Sequence, residues 1–452
     1  MFKLSKDEEL TNVLMMQLLD THRKEITDIY EPLYKAYISE HKILEAEAKP
    51  AHKPDNRIVV NFPKYIVDTM NGFFAGNPIK VTADDENVAE YVEYLDQYND
   101  QDDNNAELSK IMSLYGKGYE MYFTDEESEQ CITYLTPIEA FMVFDDTVQE
   151  RPLYFVRRYK DRHGNEYGCI YRKEDMRHFK TTGGFQWTDE DWRPHYYDDV
   201  PATEFIENGD KQSLITPIMS IVNAYNKAIS EKSNDVDYFA DAYMKVLGTA
   251  LDEEDIKHIR SNRVINFEGD DASKITVEFM SKPESDTTQE NLLNRLERLI
   301  FQISMVANIS DENFGTSSGI ALKYKLQAMM NQFKNKERKF TSGMNRRYKL
   351  LFSHPASRVP ADAWVQLHYH FTPNIPANLM EEADIAARME GVVSKETQLK
   401  VLSIVDNVQA EIEKIEEENA AAEQTIVDEM MFAAQQQAAV TEENTVADEG
   451  VE

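Results

Sequence analysis

The sequence comes nearest to a metal-ligand pattern at His368 and His370, in LHYHF. On a strand both rings would project from one face. With no cysteine nearby and no matched acidic motif, they are expected to be ordinary sheet residues. Four successive acids, DEED at 252–255, suit a hard cation on paper, but at a helix start they fit a solvated, dipole-favoured turn better. EGDD at 268–271 has the look of a carboxylate site, and between two short strands it is expected to be a hairpin turn. Cys131 and Cys169 are the only cysteines and lack zinc spacing, so they are expected to be reduced thiols. Neither a Gly-x-x-x-x-Gly-Lys phosphate cradle nor a Gly-x-Ser-x-Gly elbow occurs. Nothing in these constellations supports catalysis, and no cofactor or metal is expected.

The charge distribution says more than these motifs. A net charge of −34 in 452 residues argues against a sticky nucleic-acid binder. Yet 320–350 carries nine bases (Lys323, Lys325, Lys334, Lys336, Arg338, Lys339, Arg346, Arg347, Lys349) against the single acid Glu337. The end compensates, with 19 acids and 4 bases over 380–452. The basic run admits two readings: a face that is solvated or neutralises an acidic neighbouring subunit, or one turned to nucleic acid. Apolar residues at 42 % and aromatics at 10 % indicate a globular chain long enough for two or three domains. No apolar stretch is long enough to span a membrane, and MFKLSKDEEL lacks the apolar core of a secretory signal.

The elements that would carry these residues follow from periodicity. Helix is expected over 8–47, broken by Pro50 and Pro54. From 107 to 199 the chain alternates aromatic and β-branched residues with turns, including a hairpin around 161–165. The first half is therefore mixed α and β. At Pro217 the character changes. Ile218, Val222, Tyr225, Ile229, Val236, Phe239, Tyr243 and Val246 predict one helix over 218–246, about 43 Å long. A small αβ insert occupies 248–285, with strand-like RVINFEG and SKITVEFMS. A second helix starts at Asp286 or Thr287, with the stripe Leu292, Leu296, Leu299, Ile303 and Val306. Two such helices joined through a small insert should run antiparallel and put it at the tip of a stalk. A third helix is predicted over 320–352, then a strand in DAWVQLHYHF. Helices broken at Gly391 and capped by Ser394 come next, and an acidic low-complexity end follows.

Between the second and third helices lies NFGTSSGIALKYK (313–325), a glycine- and hydroxyl-rich linker followed at once by a basic helix. Together with NRIVVNFPKYIVDTMNGFFAGNPI (56–79), ISDENFGTSSGIALKYKLQ (309–327) and FTPNIPANLMEEADIAARMEGVVSKETQLKVLSIVD (371–406), it gives the chain a family likeness. Over about 8–420 the sequence resembles the portal (connector) proteins of tailed bacteriophages, of the type found in siphoviruses of Gram-positive hosts.

The resemblance implies an α+β, multi-part portal fold: a mixed α/β wing with N-terminal helices (1–215), long antiparallel stem helices (216–247 and 286–307) and a small αβ clip (248–285). A tunnel loop (308–318), a long wing helix and strand (319–379), a helical crown (380–432) and an acidic disordered tail (433–452) complete it. It implies a ring of about twelve subunits at one capsid vertex, non-enzymatic, conducting double-stranded DNA without sequence specificity during packaging and ejection. Implied partners are the terminase large subunit, a head-completion or adaptor protein, and the major capsid and scaffolding proteins. No membrane is involved, and the expected location is the virion, with host cytoplasm during assembly. In this reading Asp311, Glu312, Asn313, Phe314, Gly315, Thr316, Ser317, Ser318, Lys323 and Lys325 face the channel. Gly315 and Gly319 permit tight turns, and the hydroxyls make weak, exchangeable phosphate contacts. Ile218, Val222, Tyr225, Ile229, Val236, Phe239, Leu292, Leu296, Leu299 and Ile303 pack the stem. The alternative is an acidic helical scaffold or adaptor that binds partner proteins through its stalk.

Overall fold

Strand β5 (Ala140–Asp145), AFMVFD, is apolar on both faces, and the architecture explains why. It lies inside a sheet of seven strands in the order β1-β5-β6-β7-β8-β10, with β9 also paired to β8. The others are β1 (Phe2–Leu4), β6 (Pro152–Lys160), β7 (Glu166–Tyr171), β8 (Asp175–Lys180), β9 (Gln186–Trp187) and β10 (Arg193–Pro194). On one face Phe141 and Val143 meet Met15, Leu18 and Leu19 of helix α1 (Asn12–Glu25). On the other, Met142 and Phe144 meet Tyr119, Met121 and Leu135. A sheet covered on both sides needs no polar alternation. The computed structural model describes residues 2–50, 53–240, 244–247, 276–279, 286–309, 319–375, 379–402, 404–405, 408–409 and 411–420. They belong to two compact units, Met1–Asn374 and Ile375–Glu452.

In the first unit the predicted helix over 8–47 is interrupted: α1, a π-helical turn (Ile26–Tyr30), α2 (Glu31–Tyr37) and a 3-10 turn (Lys42–Glu45). Strand β1, not foreseen, runs parallel to β5. Helix α3 (Phe62–Ala75) starts where the Asn61 side chain accepts from the Lys64 N–H and Pro63 sits in the first turn. Strand β2 (Lys80–Ala83) and helices α4 (Glu86–Tyr98) and α5 (Gln101–Tyr115) follow. Strands β3 (Lys117–Thr124), β4 (Gln130–Leu135) and β11 (Ala202–Ile206) form a second sheet, ordered β11-β3-β4. The hairpin expected at 161–165 joins β6 and β7, with the Asp161 carboxylate accepting from the backbone N–H of His163 and Asn165.

Helix α6 spans Met219–Ala240, shorter than predicted, because 244–247 is strand β12 (Met244–Leu247). It pairs antiparallel with β13 (Thr276–Phe279), which supplies hydrogen bonds a helical continuation would forgo. Tyr243 and Val246 alone, three residues apart, do not separate helix from strand. The first strand-like piece of the insert, DEED and EGDD lie outside the described residues. Helix α7 spans Asp286–Ser304 and α8 spans Gly319–Ser353, within a residue of the predicted 320–352. Leu326, Met329, Phe333, Phe340, Met344 and Leu351 of its stripe are buried. A Cβ on Gly343 would fall 2.3 Å from the Phe205 ring, so α8 lies close on β11 only because that position is glycine. Strand β14 (Leu367–His370), preceded by a 3-10 turn, pairs with β2.

In the second unit α9 (Leu379–Met389) ends before Gly391, whose φ of 75° is the left-handed break the sequence suggested. Ser394 caps α10 (Lys395–Leu399) by accepting from the Thr397 N–H, and Gln398 Nε2 donates to the Ala386 carbonyl at 2.8 Å. Residues 411–420 are helical.

Candidate stem hairpin and the basic helix

Helix α6 is held by a polar ladder. The extended segment 56–60 lies along α6, and its alternate backbone N–H groups donate to side chains one helical turn apart. Asn56 N donates to Asn234 Oδ1 (2.6 Å), Ile58 N to Ser230 Oγ (2.9 Å) and Val60 N to Asn226 Oδ1 (3.0 Å). Two residues of extended chain advance about 6.6 Å and four of helix about 6.0 Å, so the repeats match. The row α6 buries is therefore Ile218, Val222, Asn226, Ser230 and Asn234, apolar at its start and polar beyond. Phe62 of α3 closes the base, 5.0 Å from the Tyr225 ring and 5.8 Å from Phe301 of α7. Lys232 pairs with Glu290 across the hairpin, and Gln289 donates to Asp235 at 3.0 Å.

Within one chain the stripes named from periodicity are covered only in part: Ile218, Val222 and Val306 are buried. On α7, Leu293 and Ile300 are buried, while Leu296 and Leu299 are half-buried. Leu292 and Ile303 are 49 % and 43 % exposed. On α6, Ile218 and Val222 are buried and Tyr225 and Ile229 half-buried, whereas Val236 is 56 % exposed. On α7 the named stripe is offset by about one position, some 100° around the helix, from the buried row; on α6 the two coincide at Ile218 and Val222 and diverge from Tyr225 on. The hairpin thus carries two faces, one spent within the chain and one left over. Phe239 is described only in its backbone.

The upstream anchor of the linker is well defined. Residue Met305 ends α7 in the left-handed region at φ 57°. Gln332 Nε2 of α8 donates to the Ser304 carbonyl at 2.9 Å, and the Ile309 N–H donates to the Tyr65 hydroxyl at 2.9 Å. The expected channel residues Asp311, Glu312, Asn313, Phe314, Gly315, Thr316, Ser317 and Ser318 lie outside the described residues. Lys323 is placed on α8 by its backbone alone. Lys325 is on the same first turns with an exposed side chain, beside the exposed Tyr324.

The basic run divides between two destinations. Lys334, Arg338 and Lys349 are exposed. Lys336, Arg346 and Arg347 instead turn inward to acids of the first unit. Lys336 is fully buried, 2.9 Å from Glu207, and donates to the Ser109 carbonyl (2.9 Å) and Ser113 Oγ (2.6 Å). Burial pulls its ammonium pKa down, against the upward pull of Glu207. Arg347 has no exposed surface and grips Glu120 in a fork, Nε to Oε2 and Nη2 to Oε1, both at 2.8 Å. Nη2 also donates to Asn105 Oδ1 at 2.7 Å. Against the penalty of burial, Glu120 holds the guanidinium pKa above its ordinary value. Arg346 pairs with Asp199 at 3.0 Å and donates to the Val200 and Ala202 carbonyls. These three residues are spent on acids of the same chain, a destination neither reading of the basic run had named.

Sequence reasoning missed their partners, though one signal was present. Glu120 sits in KGYEMYFT, a strand buried through its first six residues, and a carboxylate there requires a buried cation. His368 and His370 lie on β14 opposite Thr82 and Lys80. His368 Nε2 is 3.2 Å from Asp84 on an open surface. Among the described residues no group of three or more metal-ligating side chains occurs, and no helix is long and apolar enough to cross a membrane. Both cysteines are free, and burial pushes the Cys169 thiol up to about 11.

Known proteins give this geometry a context. The chain is similar to the portal protein of Bacillus phage SPP1, 24 % identical over 395 residues, covering 81 % of this chain and 76 % of the relative. The portal protein of Clostridium phage phiCD119 is 24 % identical over 227 residues, and the match spans about half of each chain (49 % and 49 %). Among solved structures, a chain of the "Neck of empty GTA particle computed with C6 symmetry" is similar at 13 % identity and a TM-score of 0.41, over 75 % of this chain and 89 % of that one. The family described as "Phage portal protein, SPP1 Gp6-like" matches residues 17–425, nine-tenths of the sequence, and the chain belongs to that family of phage structural proteins.

Proposed function

We propose that this chain forms a closed ring at one vertex of a phage capsid, through which double-stranded DNA enters during packaging and leaves during ejection. The observation that carries the ring is the leftover apolar face of the α6–α7 hairpin. Val236, Leu292 and Ile303 are about half exposed on helices that already bury a different row within the chain. A closed ring gives every copy the same partner for that face. In this reading the protein is structural rather than enzymatic, resides in the virion, and is assembled in the host cytoplasm.

The parts take the roles the family suggests: wing over 1–215, stem over 216–247 and 286–307, clip over 248–285, and long wing helix with its strand over 319–379. The crown occupies 380–432 and the tail 433–452. The clip would meet the terminase large subunit and later the head-completion protein, while the outer surface would meet the major capsid and scaffolding proteins. The tunnel loop is assigned to 308–318. Weak hydroxyl contacts in a net-acidic ring would let DNA slide, and the inward-turned Lys336, Arg346 and Arg347 are then absent from the channel. Deleting 313–318 is the test. Rings should still form while DNA packaging is lost; normal packaging by the deleted protein would remove the loop from the mechanism.

A further inference from the structure

Behind the ladder on α6 runs a chain of hydrogen bonds whose every direction is fixed. It begins at the Ala36 carbonyl of α2, which can only accept, so His41 Nε2 carries a proton and donates to it at 2.9 Å. In a neutral ring Nδ1 is then an acceptor, and Asn226 Nδ2 donates to it at 2.8 Å. That turns Asn226 Oδ1 the other way, onto the Val60 N–H at 3.0 Å, which can only donate. Backbone groups pin both ends, so no member can reverse alone. Neither His41 nor Asn226 has more than 2 % of its surface exposed.

Such a chain admits only the neutral imidazole. A second proton on Nδ1 would face the Asn226 amide nitrogen. Turning that amide to offer its oxygen would set its NH2 against the Val60 N–H, so either the His41 bond or the Val60 bond is lost. We propose that His41 is an acid-sensitive latch, whose protonation releases Val60 from α6 and loosens the extended segment where it runs into α3, at the base of the hairpin. The ring borders a cleft of about 480 Å³, which gives protons access to it. The charged groups of that cleft are Asp28 of the π-helical turn, Lys35 of α2, and Glu40, Lys42 and Glu45 beside His41, all exposed. Helix α6 adds none to the cleft, Arg57 of the extended segment pairs with Asp55 (2.8 Å), and Lys64 of α3 pairs with Asp68 (2.8 Å). Burial holds the His41 pKa below its ordinary value, against the hydrogen bonds of Ala36 and Asn61. The latch therefore contributes fully above about pH 6.5, and its contribution is lost as pH falls. It lies within one chain and does not depend on the ring.

The test is hydrogen–deuterium exchange of the full-length chain at pH 8 and pH 5, read by mass spectrometry, with labelling times scaled for the chemical exchange rate. Protection over 56–62 should fall roughly tenfold in acid, the factor that one pH unit gives a single proton, while residues 330–348 of α8 stay protected. His41→Gln removes the titrating group, so protection over 56–62 should be the same at both pH values. Asn226→Asp should reverse the sign, because a carboxylate accepts from the Val60 N–H and from a protonated ring together. Any of three results would overturn the proposal: equal wild-type protection over 56–62 at the two pH values, a His41→Gln chain that loses it in acid as the wild type does, or a loss spread equally over 330–348. Should His41→Gln fail to fold, the Asn226→Asp chain decides, and protection that still falls in acid overturns the latch.

Discussion

Replacing Arg347 by methionine isolates the interaction that seats helix α8 against strand β3. The substitution keeps much of the side-chain volume and removes three charge-assisted hydrogen bonds of 2.7 to 2.8 Å, two to Glu120 and one to Asn105. Glu120, itself without exposed surface, keeps only the Tyr122 hydroxyl (2.9 Å) and Gln101 Nε2 (3.2 Å) as donors. A buried carboxylate stripped of its cation costs about 3–5 kcal/mol. A buried carboxylate without its cation is relieved by taking up a proton. The loss should therefore be smaller at pH 5 than at pH 8. Replacing Glu120 by methionine in the same chain removes the stranded charge, and the double variant should recover most of the stability. Urea unfolding followed by far-UV circular dichroism at the two pH values measures all of this. A single-variant loss below about 1 kcal/mol, or a double variant no better than the single, would refute the assignment of Arg347 as the seat of α8.

Three further outcomes follow from the same geometry. Ser230→Ala or Asn226→Ala strands a backbone N–H of the 56–60 segment and should cost about 1–3 kcal/mol in urea unfolding, more for Asn226→Ala because it also removes the buried 2.8 Å contact of Nδ2 with His41 Nδ1. Gly343→Ala should destabilise despite the better helix propensity of alanine, because the new methyl meets the Phe205 ring; a thermal midpoint at or above wild type would contradict the close approach of α8 to β11. Two buried groups should oppose each other in acid. Burial raises the Asp96 carboxyl to about 6, so its contribution is full below about pH 4 and is lost as pH rises toward 6. Burial lowers His22 to about 3, so its contribution is present above about pH 6.5 and is lost as pH falls. Asp96→Asn should therefore make stability climb more steeply from pH 4 to 6 than in wild type, as read by unfolding at each pH.

What the sequence made legible divides along physical lines. Helix α8 was readable to within a residue because 35 residues of apolar repeat leave little choice of period or phase. The hairpin at 161–165 and the cap at Ser394 were readable because each is a local side-chain-to-backbone bond. The two helices α6 and α7 were readable as amphipathic, but which residues the chain itself covers was not. Leu292 and Ile303 belong to a true amphipathic stripe, yet the chain covers Leu293 and Ile300 first, and a period gives no clue to which face meets which neighbour. Strand β12 was hidden because its partner lies about thirty residues on, at 276–279. The Asn226, Ser230 and Asn234 ladder was hidden because polar residues on a helix are taken for solvent-facing unless a strap is known to lie there. Arg347 and Glu120, 227 residues apart, met only through the tertiary fold.

The central claim is that the leftover face of the stem hairpin closes a ring. Native mass spectrometry of the purified full-length chain, beside a Leu292→Asp and Ile303→Asp variant, tests it most directly. Both substitutions fall on half-exposed positions, so the far-UV spectrum should not change. The wild type should give one closed species of about twelve subunits, and the variant should give monomers. Wild-type chains that stay monomeric, or a variant that assembles as well as the wild type, would contradict the account.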